Sequence, residues 1–370
     1  MGTCLVCNAS SPLISSKLGV CAKCIKEKSQ RALEIVRFVR GETRKCFDLP
    51  PEVPRDPSGV KCEMCANDCI IRRGSRGFCG LVFNVDGHIK RMGGTPERGI
   101  LEWYYDPLPT NCVAWWFCPG CTGAGYPKYA YKPAAETGYV NLAVFYGACS
   151  LDCLFCQNWH YRYLSQRLSP CMSSEELADK VNERVSCICY FGGDPSTHMP
   201  HAIKTSKIAM ERAKGSGRIL RICWETNGNM RREFAIKAAE LSLESGGVVK
   251  FDLKAWDENI YMALCGVPKK EIYENFRIIG EKYFSERLEV PVLTASTLLV
   301  PGYVDSVEVE KIAKFIAEID PRIPYTLLAF YPQYVIDDLP TTSRKQACEC
   351  YEVSKKYLRN IRIGNIHLLS

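Results

Sequence analysis

The sequence predicts an α/β protein built on a partial barrel of six βα units, preceded by a small four-cysteine module and a Cys-rich irregular stretch. Three observations predict it. From Gly138 onward, apolar runs of strand length alternate with helical patterns, the signature of βαβ units around a parallel sheet. Six units fall short of a complete eightfold barrel, which takes about 250 residues. The apolar runs end in YGACS, FGGDP, ETNG, DLK, LVPG and FYP, and parallel βα folds place their sites at the carboxyl ends of strands. Finally, the 370 residues hold 22 cysteines but only five histidines, and such a count means disulfides or metals.

Composition narrows the choice. A hydrophobic fraction of 46% with 24% charged residues excludes wholesale disorder. The start, MGTCLVCNAS, has neither a basic nor an apolar leader region. No apolar run is long enough to span a bilayer. A reducing, anaerobic cytoplasm with thiols that bind metal is therefore expected. The net charge of +7 permits an acidic partner without demanding one.

Three zones follow along the chain: residues 1–48, 49–138 and 139–370. In the first, Ser29–Arg40 places Leu33 and Val36 at helical spacing between charges, which predicts an amphipathic helix. The stretch Leu49–Gly59 holds four prolines and reads as a linker. Residues 60–138 read as irregular. In the third zone the expected strands are Tyr139–Tyr146, Val185–Phe191, Arg218–Trp224, Val248–Leu253, Leu288–Val300 and Tyr325–Tyr331. The expected helices are Ser173–Arg184, His201–Ala213, Arg231–Glu244, Lys270–Phe284, Ser306–Ile319 and Thr342–Leu358.

The sharpest motif is Cys149-x3-Cys153-x2-Cys156, directly after the first of these strands. Three thiolates on a tight loop can hold three irons of a cubane and leave the fourth open to a small chelating molecule. The competing zinc loop would want a fourth ligand such as His160. C-x3-C-x2-C after a first strand resembles the radical S-adenosylmethionine (SAM) enzymes. CLFCQNW with FGGDP, ETNG, DLK, LLVPGYVD and IGN is similar to their pyruvate formate-lyase activating enzyme group, of the AmmeMemoRadiSam kind. The likeness covers about residues 62–366, with the motifs in the family's order.

The resemblance implies a partial (β/α)6 TIM-like barrel of radical SAM type and a set of roles. Cys149, Cys153 and Cys156 would bind a [4Fe–4S] cluster whose open iron takes SAM's amino and carboxylate groups. Phe155 would pack on the adenine. Gly192, Gly193 and Asp194 stand at the family's GGE, whose backbone meets the SAM amino group. Glu225, Thr226 and Asn227 match a DTNG run. Asp252 and Lys254 match the DLK that faces the methionine moiety, so Lys254 could pair with the SAM carboxylate. Glu225, Thr226 and Asp252 could hold a monovalent cation. Tyr331 stands roughly where the activating enzymes carry a histidine.

The resemblance also implies an oxidoreductase that cleaves SAM reductively to a 5′-deoxyadenosyl radical. That radical would abstract hydrogen from a protein or peptide, at a glycyl Cα as in the activases, with an electron donor such as ferredoxin or flavodoxin. Modification of RNA or a small metabolite is the alternative, with the basic Arg31–Lys45 stretch as a grip. A non-catalytic Fe–S or zinc carrier or scaffold is the reading from another class.

The remaining cysteines form further groups. Cys4-x2-Cys7 and Cys21-x2-Cys24 are paired knuckles that suit structural zinc. Cys62-x2-Cys65-x3-Cys69-x9-Cys79 suits zinc or an auxiliary iron–sulfur cluster. Cys112, Cys118 and Cys121 form an incomplete set, open to a cluster, a redox pair or plain packing. Trp115, Trp116 and Phe117 beside it read as core or as a substrate wall. Cys46, Cys171, Cys187, Cys189, Cys223, Cys265, Cys348 and Cys350 read as thiols packed singly, with Cys187, Cys189 or Cys223 a remote candidate for a hydrogen-atom donor. His198 is expected at the surface.

Overall fold

A computed structural model describes all residues from Met1 to Ser370. Its frame is one open sheet of nine strands: β1 (Gly99–Pro107), β2 (Val140–Tyr146), β3 (Cys171–Met172), β4 (Val185–Gly192), β5 (Arg221–Thr226), β6 (Val249–Asp252), β7 (Leu293–Leu299), β8 (Tyr325–Ala329) and β9 (Ile361–Gly364). The spatial order is β9-β8-β7-β6-β5-β4-β2-β1-β3. From β2 to β9 all neighbours run parallel. β1 and β3 add an antiparallel edge.

The six expected strands are present, and three more, β1, β3 and β9, lengthen the sheet. β9 was legible only as the short IGN run. β1 falls inside the stretch expected to be irregular, where the surrounding glycines, prolines and cysteines mask the run GILEWYYDP.

The helices of six or more residues are α1 (Ala22–Glu27), α2 (Ser29–Lys45), α3 (Tyr161–Arg167), α4 (Met199–Gly215), α5 (Arg232–Ser245), α6 (Glu258–Cys265), α7 (Lys270–Tyr283), α8 (Ser306–Ile319) and α9 (Arg344–Lys355). The helix expected over Ser173–Arg184 stops at Ala178. Asp179 caps its end, and the Asn182 side chain then accepts from the Arg184 N–H at 2.9 Å in a local turn that leads into β4. α6 escaped the sequence because it is short, yet it is well signalled. Asp257 caps its first turn, and Gly266 ends it in the left-handed conformation. No helix is long and apolar enough to cross a membrane.

Strand alternation separates two environments. Ile188, Tyr190, Ile222 and Trp224 turn outward and are fully buried under helices. Cys187, Cys189, Cys223 and Glu225 alternate with them and turn to the barrel interior. The loop from Leu108 to Thr122 plugs that interior: the Trp116 indole donates to Thr326 Oγ1 on β8 at 3.3 Å. A buried bidentate pair fixes the plug's exit, with Arg221 donating to Glu136 at 2.8 and 2.6 Å.

His198 is not at the surface. Its ring stacks on Tyr146 at 4.3 Å, and the Ile100 N–H donates to its Nε2. His201 is also buried, between the Tyr146 hydroxyl at 2.9 Å and the Met172 carbonyl at 3.0 Å. Burial pushes its pKa down to about 4. Below pH ~6.5 the unfolded chain therefore gains a proton that folded His201 refuses, and stability falls as pH drops toward 4. Between pH 7 and 5 this is on the order of 2 kcal/mol at ~1.4 kcal/mol per pKa unit. Urea midpoints of the wild type and His201→Gln at the two pH values check it: the variant should lose that part of the slope, and equal slopes contradict it.

Candidate active site and metal centres

The site is built from strand ends. After β2 the chain turns into the loop carrying Cys149, Cys153 and Cys156, which needs fixing because loops alone are soft. Its anchor is Asp152, fully buried among three arginines. Arg40 and Arg44 of α2 approach at 3.3 and 3.1 Å, and Arg162 of α3 closes the third side. Burial pushes the Asp152 carboxyl up, but the charges of Arg162, Arg44 and Arg40 outweigh it and hold it well below the usual range. The backbone of the loop is tied as well: Asp152 N–H donates to Cys265 O at 2.9 Å and Leu154 N–H to Leu264 O at 3.0 Å. Gly266 lets Arg40 in, since a Cβ there would meet the guanidinium at 2.9 Å.

Neighbouring strand ends converge on this loop. Gly192 and Gly193 cross the end of β2 so closely that a Cβ on Gly193 would sit 2.2 Å from the Ala148 carbonyl oxygen. Gly193 and Asp194 N–H groups donate to Tyr146 and Ala148 carbonyls at 2.8 and 2.7 Å. The Asp194 carboxylate accepts from Ser196 N–H, Thr226 Oγ1 and Asn227 N–H at 2.8, 3.0 and 2.6 Å. It therefore ties β4 to β5. Asn227 in turn donates from Nδ2 to Cys149 Sγ at 3.4 Å. Gly193→Ala is expected to weaken SAM binding at least ~10-fold, or about 1.4 kcal/mol, by equilibrium dialysis. Gly215→Ala, whose Cβ meets open space, should leave it unchanged; equal affinities for both contradict the close approach.

On β6, period-two alternation directs Lys250, Asp252 and Lys254 to one side. Lys250 Nζ lies 2.8 Å from Asp252 and 3.5 Å from Glu225, and Lys254 Nζ lies 3.0 Å from Asp252. Burial pushes the Asp252 carboxyl up, and the two ammonium groups overcome this and hold it low. Lys250 escaped the sequence reading; the alternation K-x-D-x-K was its signal. It also alters the expected monovalent-cation site. Glu225, Thr226 and Asp252 do not surround one point: the Lys250 ammonium stands between the two carboxylates, and the Thr226 hydroxyl turns to Asp194.

Cys149, Cys153, Cys156, Phe155, Gly192, Gly193, Asp194, Glu225, Asn227, Asp252 and Lys254 all line one cavity of ≈ 280 Å³. Trp115, Trp116, Arg362 and Asn365 complete its wall, with Arg362 over the Trp115 ring at 4.0 Å. Phe117 packs edge-on against Trp116 instead. Tyr331 does not join. It is 45% exposed and lies outside the cavity, because Phe330 beside it takes the buried position at the end of β8.

The thiol groups differ in spacing. The donor atoms of Cys4, Cys7, Cys21 and Cys24 all lie within 4.8 Å of one another, the spread of a single tetrahedral ion. Those of Cys149, Cys153 and Cys156 are less tightly gathered, and His160 stacks on Trp159 without completing a four-donor set for zinc. Cys62, Cys65, Cys69 and Cys79 share a buried patch against the cluster loop, where Asn67 Nδ2 donates to Ser150 O at 2.6 Å. No cysteine is in a disulfide. Cys187, Cys189 and Cys223, read from sequence as packed singly, instead lie beside Cys112 and Cys118.

A profile of the radical SAM superfamily matches residues 143–361, more than half of the chain. The chain belongs to the radical SAM superfamily. It is therefore an enzyme of that class, whose members use a [4Fe–4S] cluster and SAM. Two relatives come from Methanocaldococcus jannaschii. The uncharacterized protein MJ0808 is 25% identical over 84% of this chain and 83% of its own length. The putative glycyl-radical enzyme activating enzyme MJ1632 is 26% identical over 58% of this chain and 76% of its own. Among solved structures, a domain of pyruvate-formate lyase-activating enzyme from Bacteroides vulgatus is 21% identical, with a TM-score of 0.37 over 48% of this chain and 98% of that one. SuiB of Streptococcus suis bound to precursor peptide SuiA is 13% identical, with a TM-score of 0.40 over 60% and 47%.

The donor chemistry fits the family's cluster. Burial pushes the Cys149 thiol up and that of Cys156 to about 11. Both are neutral until a metal's charge holds them as thiolates. Leu151 N–H and Asn227 Nδ2 already point at Cys149 Sγ, each at 3.4 Å, as donors to such a thiolate.

Proposed function

We propose that this chain cleaves SAM reductively and acts on a protein or peptide, in the manner of a glycyl-radical activase. The observation that carries the proposal is the meeting, across one cavity, of three thiols on an arginine-clamped loop with the Lys250–Asp252–Lys254 array. When bound, the cluster of Cys149, Cys153 and Cys156 supplies one electron to SAM, whose C5′–S bond breaks to give methionine and a 5′-deoxyadenosyl radical. The chain's own residues bind and orient. The Gly192–Gly193 backbone receives the SAM ammonium group. Lys254 pairs with the SAM carboxylate, held in place by Asp252. Phe155 flanks the adenine. Asp194 and Asn227 position these groups by tying the strand ends together. Trp115 and Trp116 exclude water from the reacting space.

A protein or peptide substrate is supported by the likeness to an activating enzyme at 26% identity. A small ferredoxin or flavodoxin supplies the electron. Residues 1–48 form a module in which Cys4, Cys7, Cys21 and Cys24 take zinc and so hold α2, with Arg40 and Arg44, against the loop. Cys62, Cys65, Cys69 and Cys79 hold zinc or an auxiliary cluster.

The test is deuterium transfer. The reduced holoenzyme is incubated with SAM and proteins of the source cell labelled with deuterated glycine. Deuterium in 5′-deoxyadenosine is expected; label that appears only with small metabolites or RNA overturns the substrate class.

A further inference from the structure

The barrel holds a second group of thiols beneath the site just described. Cys189 of β4 and Cys223 of β5 are direct neighbours in the parallel register and share the inward face with Cys187. The plug brings Cys112 and Cys118 against them, and these five cysteines line one narrow cavity of ≈ 50 Å³. Cys121 joins from the side, packed on Cys187. In the plug, Cys118 has the Cys112 and Cys121 thiols as neighbours.

Thiols are weak hydrogen-bonding groups, and apolar side chains would fill a barrel better. Sulfur donors with no histidine among them select soft transition metals. The space exceeds the ~10–15 Å³ that one small probe requires. Arg221, Lys250 and Glu225 also line it, with Arg221 paired to Glu136 and Lys250 to Glu225 and Asp252.

We propose that Cys112 and Cys118 of the plug, with cysteines 187, 189 and 223 of the sheet, form a thiolate site for an iron–sulfur cluster, whose ligands stand farther apart than the four thiols of the Cys4–Cys24 set. Cys112, Glu225 and Lys250 line both this cavity and the SAM cavity. The metal would thus stand in the wall of the reaction space. Each ligating thiol releases its proton on binding, and no redox step is required. The site stands whether or not the substrate proposal holds, because its readout is metal content.

The full-length protein, purified anaerobically, is analysed for iron, sulfide and zinc per chain. Cys118→Ser/Cys223→Ser is expected to lose one cluster's iron and sulfide, with zinc unchanged. It should keep the iron that depends on Cys149, Cys153 and Cys156. Cys348→Ser, at an exposed position, should lose nothing. Unchanged iron in the double variant overturns the proposal, as does a Cys118–Cys121 disulfide in the native protein. Should the double variant not fold, alkylation of the wild type replaces it: labelling of Cys118 and Cys223 only after chelation supports the site, and labelling without chelation overturns it.

Discussion

Asp152→Ala is expected to destabilise the protein by about 3–5 kcal/mol, because it strands charges that only this carboxylate balances. Arg40, Arg44 and Arg162 are each at most 4% exposed, so water cannot replace the lost partner. Their remaining hydrogen bonds, such as Arg40 to the Ala263 carbonyl and Arg44 to the Phe78 carbonyl, both at 2.6 Å, satisfy donors but not charge. Damage should concentrate at the cluster loop, since Asp152 lies between Cys149 and Cys153. Iron content should therefore fall together with the urea midpoint. Asp152→Asn keeps the shape and loses the charge, so its cost should be smaller but still large. The sign with pH is that of a depressed carboxyl. The contribution is present above the unfolded pKa of ~3.9 and is lost only as pH falls below it. A near-neutral Asp152→Ala would mean that α2 does not hold the loop.

Lys250→Met is expected to lower the rate of 5′-deoxyadenosine formation by about 10²-fold, or ~2.7 kcal/mol. Without the ammonium, Glu225 and Asp252 face each other with only Lys254 nearby. A like-charge pair raises the pKa of its members. Asp252, now held low by two lysines, should titrate higher, and the acid limb of the pH–rate profile should move to higher pH. Lys250→Arg should restore most of the rate. A merely structural Lys250 would change stability without moving the profile.

Much of this was legible in the sequence, for physical reasons that also explain the gaps. Period-two and helical patterns located the strands and helices from Gly138 onward, and the strand-end runs located the cavity-lining groups. Local patterns carry no information about long-range partners. Nothing near Asp152 in sequence announces Arg40 and Arg44, which arrive from a helix more than a hundred positions away. Lys250 was hidden because a single lysine in a strand reads as solvated charge until its neighbours are placed. Cys189 and Cys223 stayed unpaired in the reading because only the β4–β5 register brings them together. Tyr331 follows the end of β8, where Phe330 turns to the core and Tyr331 to solvent, so neither lines the cavity.

The measurement that bears most directly on the central claim is 5′-deoxyadenosine formation by the anaerobic, dithionite-reduced protein with SAM, alongside iron content. The wild type should bind about four iron atoms through Cys149, Cys153 and Cys156 and release methionine and 5′-deoxyadenosine. Changing these three cysteines to alanine together should abolish both while zinc at Cys4, Cys7, Cys21 and Cys24 stays bound. A fully iron-loaded, reduced wild type that leaves SAM intact, or a triple variant that still cleaves it, would contradict the account.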